Sequence, residues 1–222
     1  MSQPFTRLLI ATKNAKKLRE LEQLLAPLEI ELVKPADVGG LPEIDEDQPT
    51  FAANAAKKAA AAARAKKLWA LADDSGLEVD ALEGAPGVLS ARYAGKRCDD
   101  AANNAKLLAA LSKTPTAKRG ARFVCALALA RPDGTIALEI EGEARGRILF
   151  GPRGTNDFGY DPLFLFTEPG FPQGQRCFGE LSAAEKAGIS HRGRALRRLS
   201  EELRTLAKEP PEEPVSAPFR GR

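Results

Sequence analysis

The sequence predicts an α/β fold, and three observations carry that expectation. A short apolar run, Arg7 to Ala11, passes through polar Thr12-Lys13-Asn14 into leucines 18, 21, 24, 25 and 28 at helical spacing. An alanine-rich stretch from Thr50 to Lys67 then feeds a second apolar run, Leu68-Trp69-Ala70-Leu71-Ala72. Farther on, Arg122 to Ala130 is apolar on both faces, as a buried strand is, and Pro132-Asp133-Gly134 folds it back as a hairpin. A chain of 222 residues suits one domain or two tightly joined lobes.

Composition excludes several classes. A hydrophobic share of 43% beside 28% charged residues is that of a soluble globular protein. The net charge of +3 is too small to argue for bulk nucleic-acid binding. No apolar run reaches the length of a membrane span, and Leu8-Leu9-Ile10-Ala11 is too short for a signal peptide. Cys98, Cys125 and Cys177 are far apart and odd in number, so a reducing compartment, the cytoplasm, is expected. A single histidine, His191, excludes zinc sites built on several histidines.

The elements follow in order. Arg7 to Ala11 is the first strand, and Thr12 or Asn14 caps the helix after it. Ile30 to Val33 is a second strand, and Pro35 to Pro49 is an acidic loop containing Glu46. Thr50 opens a helix because alanine is the best helix former. Asn54, Lys57 and Lys58 interrupt it, and Asn54 is a poor interior residue that needs a reason. The run from Leu68 is expected to stop at a polar turn, Asp73-Asp74-Ser75-Gly76. Gly84 to Tyr93 reads as a loop, and Asp99 to Leu111 as a helix with Leu107, Leu108 and Leu111 on one face. Thr135 to Ile140 and Glu141 to Leu149 are strands. Polar Arg153 to Pro162 is a loop before the strand-like Leu163 to Phe166. Ser182 and Glu185 form a capping box for a short helix that carries Lys186. Ser190-His191-Arg192 opens the last helix, with Leu196, Leu199, Leu203 and Leu206 on its apolar face.

Three places suggest chemistry, each beside a plainer reading. Adjacent carboxylates at Asp73 and Asp74 are stabilised by a cation, and open α/β sheets bind ligands at the C-terminal edges of their strands. The same four residues also suit an Asx-type turn. Thr12-Lys13-Asn14-Ala15-Lys16-Lys17 joins a helix N-terminus to three lysines, which is an anion site or a solvated basic face. The loop through Phe158, Gly159 and Tyr160 can lay a ring against a flat ligand, or it is a tight turn with core aromatics.

Five stretches, in order, resemble one family. They are Thr12 to Lys17, Ala72-Asp73-Asp74-Ser75-Gly76, Gly84 to Tyr93, Phe158-Gly159-Tyr160-Asp161-Pro162 and Ser190-His191-Arg192. The chain resembles the inosine/xanthosine triphosphate pyrophosphatases over Arg7 to Ala207. That resemblance implies hydrolysis of ITP, dITP and XTP to the monophosphate and pyrophosphate, with Mg²⁺, by a homodimer. It also implies a mixed α/β fold with an elongated sheet, helices in two lobes and the site in the cleft between them. Residues 1–208 would form this single domain and residues 209–222 a disordered tail. Asp74 matches the catalytic carboxylate, and Glu46 with Asp74 the metal site. Thr12, Lys13, Asn14, Ala15, Lys16, Lys17, Ser75, Phe158, Gly159, Tyr160, Asp161, Lys186, His191 and Arg192 match nucleotide-contacting positions. The chain departs from the family pattern with Gln48 for a glycine, Ala53 for a glutamate and Asp157 for a glycine. Rival readings are a pyrophosphatase of the same fold acting on pyrimidine or modified nucleotides, and a polyanion binder using the lysines and Arg194, Arg197 and Arg198. The second gains nothing from carboxylates in its site.

Overall fold

The computed structural model describes residues 5–28, 30–95 and 99–206. The expected tail and Cys98 lie outside them. One mixed six-stranded sheet has the order β2-β1-β3-β4-β5-β6. Its strands are β1 (Arg7–Ile10), β2 (Glu31–Val33), β3 (Trp69–Val79), β4 (Gly120–Ala130), β5 (Ile136–Ile148) and β6 (Phe164–Phe166). Both neighbours of β1 are parallel to it, and every pairing from β3 onward is antiparallel. The helices are α1 (Ala15–Leu25), α2 (Phe51–Lys66), α3 (Asp100–Ala110), α4 (Ala183–Ile189) and α5 (His191–Leu206). None among the described residues is long and apolar enough to cross a membrane.

The expected turn at Asp73 to Gly76 is not formed. β3 runs straight through it, with Asp73 opposite Leu127, Asp74 opposite Ala126 and Gly76 opposite Val124. Pairing with the long β4 outweighs the local turn preference of those four residues. Successive strand residues point to opposite faces, so the two carboxylates do not meet. Asp73 shares its face with Leu71, Cys125 and Leu127, which pack with Leu21 of α1 and Leu196 and Leu199 of α5. Asp74 shares the other face with Ala72 and Ala126, which pack on Ala55, Ala59, Ala62 and Ala63 of α2. Alanine against alanine lets α2 lie close to the sheet, within reach of Asp74. A further core part surrounds the far ends of β3, β4 and β5 through Leu77, Phe123, Ile148, Phe164 and Phe178.

Most helix ends match their sequence signals. Thr50 caps α2 by accepting from the Ala53 N–H, and Ser182 forms its reciprocal box with Glu185 at α4. Asn14, not Thr12, caps α1. The two strands expected between Thr135 and Leu149 are one, β5. Gly142 within it lets α5 sit down: a Cβ there would come within 2.3 Å of the His191 carbonyl.

Candidate active site

Two adjoining cavities, of about 270 and 340 Å³, share Asn14, Lys17, Ser75 and Ala91 as a common wall. Between them they are lined by every residue that the resemblance matched to a catalytic, metal or nucleotide-contacting position. Thr12, Lys13, Glu46 and Asp74 line the first. Ala15, Lys16, Phe158, Gly159, Tyr160, Asp161, Lys186, His191 and Arg192 line the second.

The first cavity is built around carboxylates held by cations. Lys58 on α2 sets its Nζ 2.7 Å from Glu46 Oε1 and 3.0 Å from Asp74 Oδ1. Arg92 donates to Glu46 Oε2 at 3.1 Å and to the Glu46 carbonyl at 2.8 Å. Burial would raise the Glu46 carboxyl, but Lys58 and Arg92 outweigh it and hold the group low. Burial does raise the Asp74 carboxyl, against the pull of Lys58. Asp74 Oδ2 is buried with no hydrogen-bond partner, and such an atom calls for a ligand.

Asn54 has its reason here. Buried in α2, its side chain accepts from the Gln48 N–H at 3.0 Å and donates to the Gln48 carbonyl at 3.3 Å, fixing the loop that carries Glu46. These bonds use only the Gln48 backbone, so they do not depend on a glycine at that position. The loss of a glutamate at Ala53 leaves the Thr50 cap in place.

The N-terminus of α1 differs from the expected nest of free N–H groups. Asn14 Oδ1 accepts from the N–H of Lys16 at 2.9 Å and of Lys17 at 3.1 Å. The lysine ammonium groups therefore carry the positive charge toward the cavity. Lys17 Nζ lies 2.6 Å from Asp73 Oδ1, and Arg192 Nη2 lies 3.2 Å from Asp73 Oδ2. Burial alone would raise the Asp73 carboxyl; Lys17 and Arg192 instead hold it well below the usual range.

The second cavity has an aromatic wall rimmed with donors. The Phe158 ring centroid lies 4.9 Å from Lys186 Nζ, 5.5 Å from Lys16 Nζ and 5.9 Å from the Arg192 guanidinium carbon. Arg192, only 2% exposed, also donates to Ser75 Oγ at 2.9 Å and pairs with Glu20. Lys186 is held by Asp161 and by Glu20, whose Oε1 is 3.2 Å away. Burial lifts the Asp161 carboxyl to about 6, while Lys186 pulls the other way. The His191 ring stacks on Phe123, with centroids 4.7 Å apart. Burial pushes its pKa well below 6.5, so the ring is neutral near pH 7, and its Nδ1 is buried without a partner. Tyr160 is a tether as well as a wall: its hydroxyl donates to the Ser90 carbonyl at 2.8 Å.

Sequence reasoning missed Lys58, Asp73 as a counter-ion, and Glu20. Lys58 gave a signal only as a lysine in an alanine helix. The basic cluster of α5 lies away from both cavities. Arg194 pairs with Glu168 at 2.8 Å, and Arg197 and Arg198 donate to the carbonyls of Ala187, Gly188 and Glu141.

The chain is similar to several known proteins. A dITP/XTP pyrophosphatase of Desulforamulus reducens is 49% identical over 200 residues, covering 90% of this chain and 96% of that protein. Another, from Syntrophobacter fumaroxidans, is 52% identical over 201 residues, covering 90% and 83%. The solved structure of a HAM1 protein from Coxiella burnetii has a TM-score of 0.80 at 42% identity, covering 90% of this chain and all of that one. The pattern of the Ham1 family matches residues 8–202, a span that holds every residue of both cavities; the chain belongs to the Ham1 family.

Proposed function

We propose that this protein hydrolyses ITP, dITP and XTP to the nucleoside monophosphate and pyrophosphate, using Mg²⁺, and so clears non-canonical purines from the nucleotide pool. The relatives named dITP/XTP pyrophosphatase support the reaction and the substrate class. One observation in the chain itself carries the reading most strongly: Asp74, bridged to Glu46 by Lys58 through Oδ1 and with Oδ2 buried and unpartnered, lines a cavity that adjoins an aromatic, donor-rimmed one. A cytoplasmic location and a homodimer belong to the same proposal, on the cysteine pattern and the resemblance, and the mass of the protein in solution tests the second.

Glu46 and Asp74 would hold the ion. Mg²⁺ takes one or two protein carboxylates and completes its shell with waters and substrate phosphates. Lys58 Nζ now bridges these two carboxylates, 2.7 Å from Glu46 and 3.0 Å from Asp74, so the pair already converges on one positive charge. When bound, the ion neutralises developing charge on the phosphates. Lys17 and Lys58 add fixed positive charge on the same side, where a low-dielectric wall makes it effective. Asp74, with one oxygen unengaged, accepts a proton from the attacking water or holds the ion. In the second cavity Phe158 covers the base. Arg192 and Lys186 offer only donors, which suits the 6-oxo group of hypoxanthine and xanthine and opposes the 6-amino group of adenine.

Product identity tests the reaction. With Mg²⁺, ITP should yield IMP and pyrophosphate in equal amounts. Chelating the metal should lower the rate by at least about 100-fold. Release of orthophosphate with IDP would overturn the proposal.

A further inference from the structure

Helix α3 borders the second cavity through Asp100 and bonds both peptide groups of Gly159. Gly159 adopts φ +58°, the left-handed region, between Phe158 and Tyr160. Its N–H donates to Asp100 Oδ2 at 3.1 Å, and its carbonyl accepts from Asn104 Nδ2 at 2.9 Å. Asp100 and Asn104 stand four apart on α3, so they share one face. The first bond fixes the peptide joining Phe158 to Gly159, and the second fixes the peptide joining Gly159 to Tyr160. Together they set both torsions of a residue with no side chain to restrain it.

The helix that does this is itself anchored. Asp99 caps it by accepting from the Ala102 N–H at 3.0 Å, and Leu107 is buried in the core. Asn103, also buried, donates to the Ala91 carbonyl at 3.1 Å and accepts from the Ala94 N–H at 2.7 Å. Asp100 has a second partner. Its Oδ2 accepts from Lys16 Nζ at 3.3 Å, and that ammonium lies 5.5 Å from the Phe158 ring centroid. One carboxylate therefore joins the lysine loop of α1 to the loop carrying the aromatic wall.

We infer that Asp100 and Asn104 are positioning residues for nucleobase recognition: they hold Gly159 so that Phe158 stands against the base, and Asp100 also holds Lys16 beside that ring. The inference rests on the nucleotide reading above. It predicts a split between the two halves of the ligand. A hydrogen bond contributes about 0.5–1.5 kcal/mol net, a factor of roughly two to ten.

The experiment measures IMP and pyrophosphate as separate inhibitors of the full-length enzyme. Asn104→Ala puts a better helix former at its position, so α3 should persist. It should raise the Ki of IMP about fivefold and leave that of pyrophosphate within about twofold. Asp100→Ala should weaken IMP at least as much. Asp100→Asn keeps an acceptor for the Gly159 N–H and should retain most of the IMP affinity. Parallel weakening of both inhibitors, no change in either, or Asp100→Asn behaving as Asp100→Ala would overturn the inference. A wild-type protein that binds pyrophosphate but not IMP would remove the nucleotide reading itself, and this inference with it, before any variant is compared.

Discussion

Asp74→Asn should fold normally and turn over ITP at least about 100-fold more slowly, the scale of a lost general base. The substitution keeps the size of the side chain and leaves the backbone pairing of β3 opposite Ala126 untouched. Its amide oxygen can still accept from Lys58, which now lies 3.0 Å from Asp74 Oδ1. What disappears is the negative charge and the unpartnered carboxylate oxygen. Both proposed duties, holding the ion and taking a proton, need that oxygen. Because the loss falls on kcat and kcat/KM together, it differs from a loss of substrate binding alone. A folded variant that turns over ITP at close to the wild-type rate would remove Asp74 from the chemistry.

The second large effect is on base choice, and the structure changes how it must be measured. From sequence alone the natural variant is Arg192→Ala. The guanidinium is buried, however, and serves Asp73, Ser75 and Glu20 at once. Truncation would leave Asp73 to Lys17 alone and Glu20 to Lys186 alone, and breaking a buried pair costs about 3–5 kcal/mol. Activity would then fall with stability whatever the residue recognises. Arg192→Lys keeps a positive charge near Asp73 and Glu20 but loses the planar fork. It should lower kcat/KM for ITP far more than for ATP and narrow their ratio by at least about tenfold, since a site built on hydrogen bonds discriminates through them. Equal loss on both substrates would place Arg192 with the phosphates or the fold.

Much of this arrangement is legible in the sequence because its signals are local. Leucine spacing places α1 and α5, alanine content places α2, and Ser182 with Glu185 marks the start of α4. The failure at Asp73 to Gly76 is instructive in the same terms. Four turn-forming residues in a row look like an end, and only pairing with a strand fifty residues away keeps them extended. Lys58 escaped notice for a related reason. Nothing local distinguishes a lysine that bridges Glu46 and Asp74 from one that solubilises an alanine helix. Asp73 could be seen as one of two adjacent acids, but not as the buried anion shared by Lys17 and Arg192. The family resemblance supplied which residues converge; the sheet shows how. Alternation along β3 sends Asp74 toward α2 and the carboxylate cavity, and sends Asp73 and Ser75 toward α1 and α5. Hence β3 gives the wall shared by the two cavities Ser75 from within a strand, where the sequence suggested a turn, and α1 and the Gly87–Arg92 segment supply the rest.

The central claim, pyrophosphate release directed by the base, is tested most directly by a panel of triphosphates at one Mg²⁺ concentration. ITP, dITP, XTP, ATP, GTP and a pyrimidine triphosphate would be assayed side by side for pyrophosphate. The arrangement of Phe158, Lys186 and Arg192 predicts kcat/KM values for ITP, dITP and XTP that exceed those for ATP and the pyrimidine nucleotide by on the order of 100-fold or more, while GTP, which shares the 6-oxo acceptor, reports whether the 2-amino group is also excluded. Cleavage of ATP or the pyrimidine nucleotide as efficiently as ITP would contradict it.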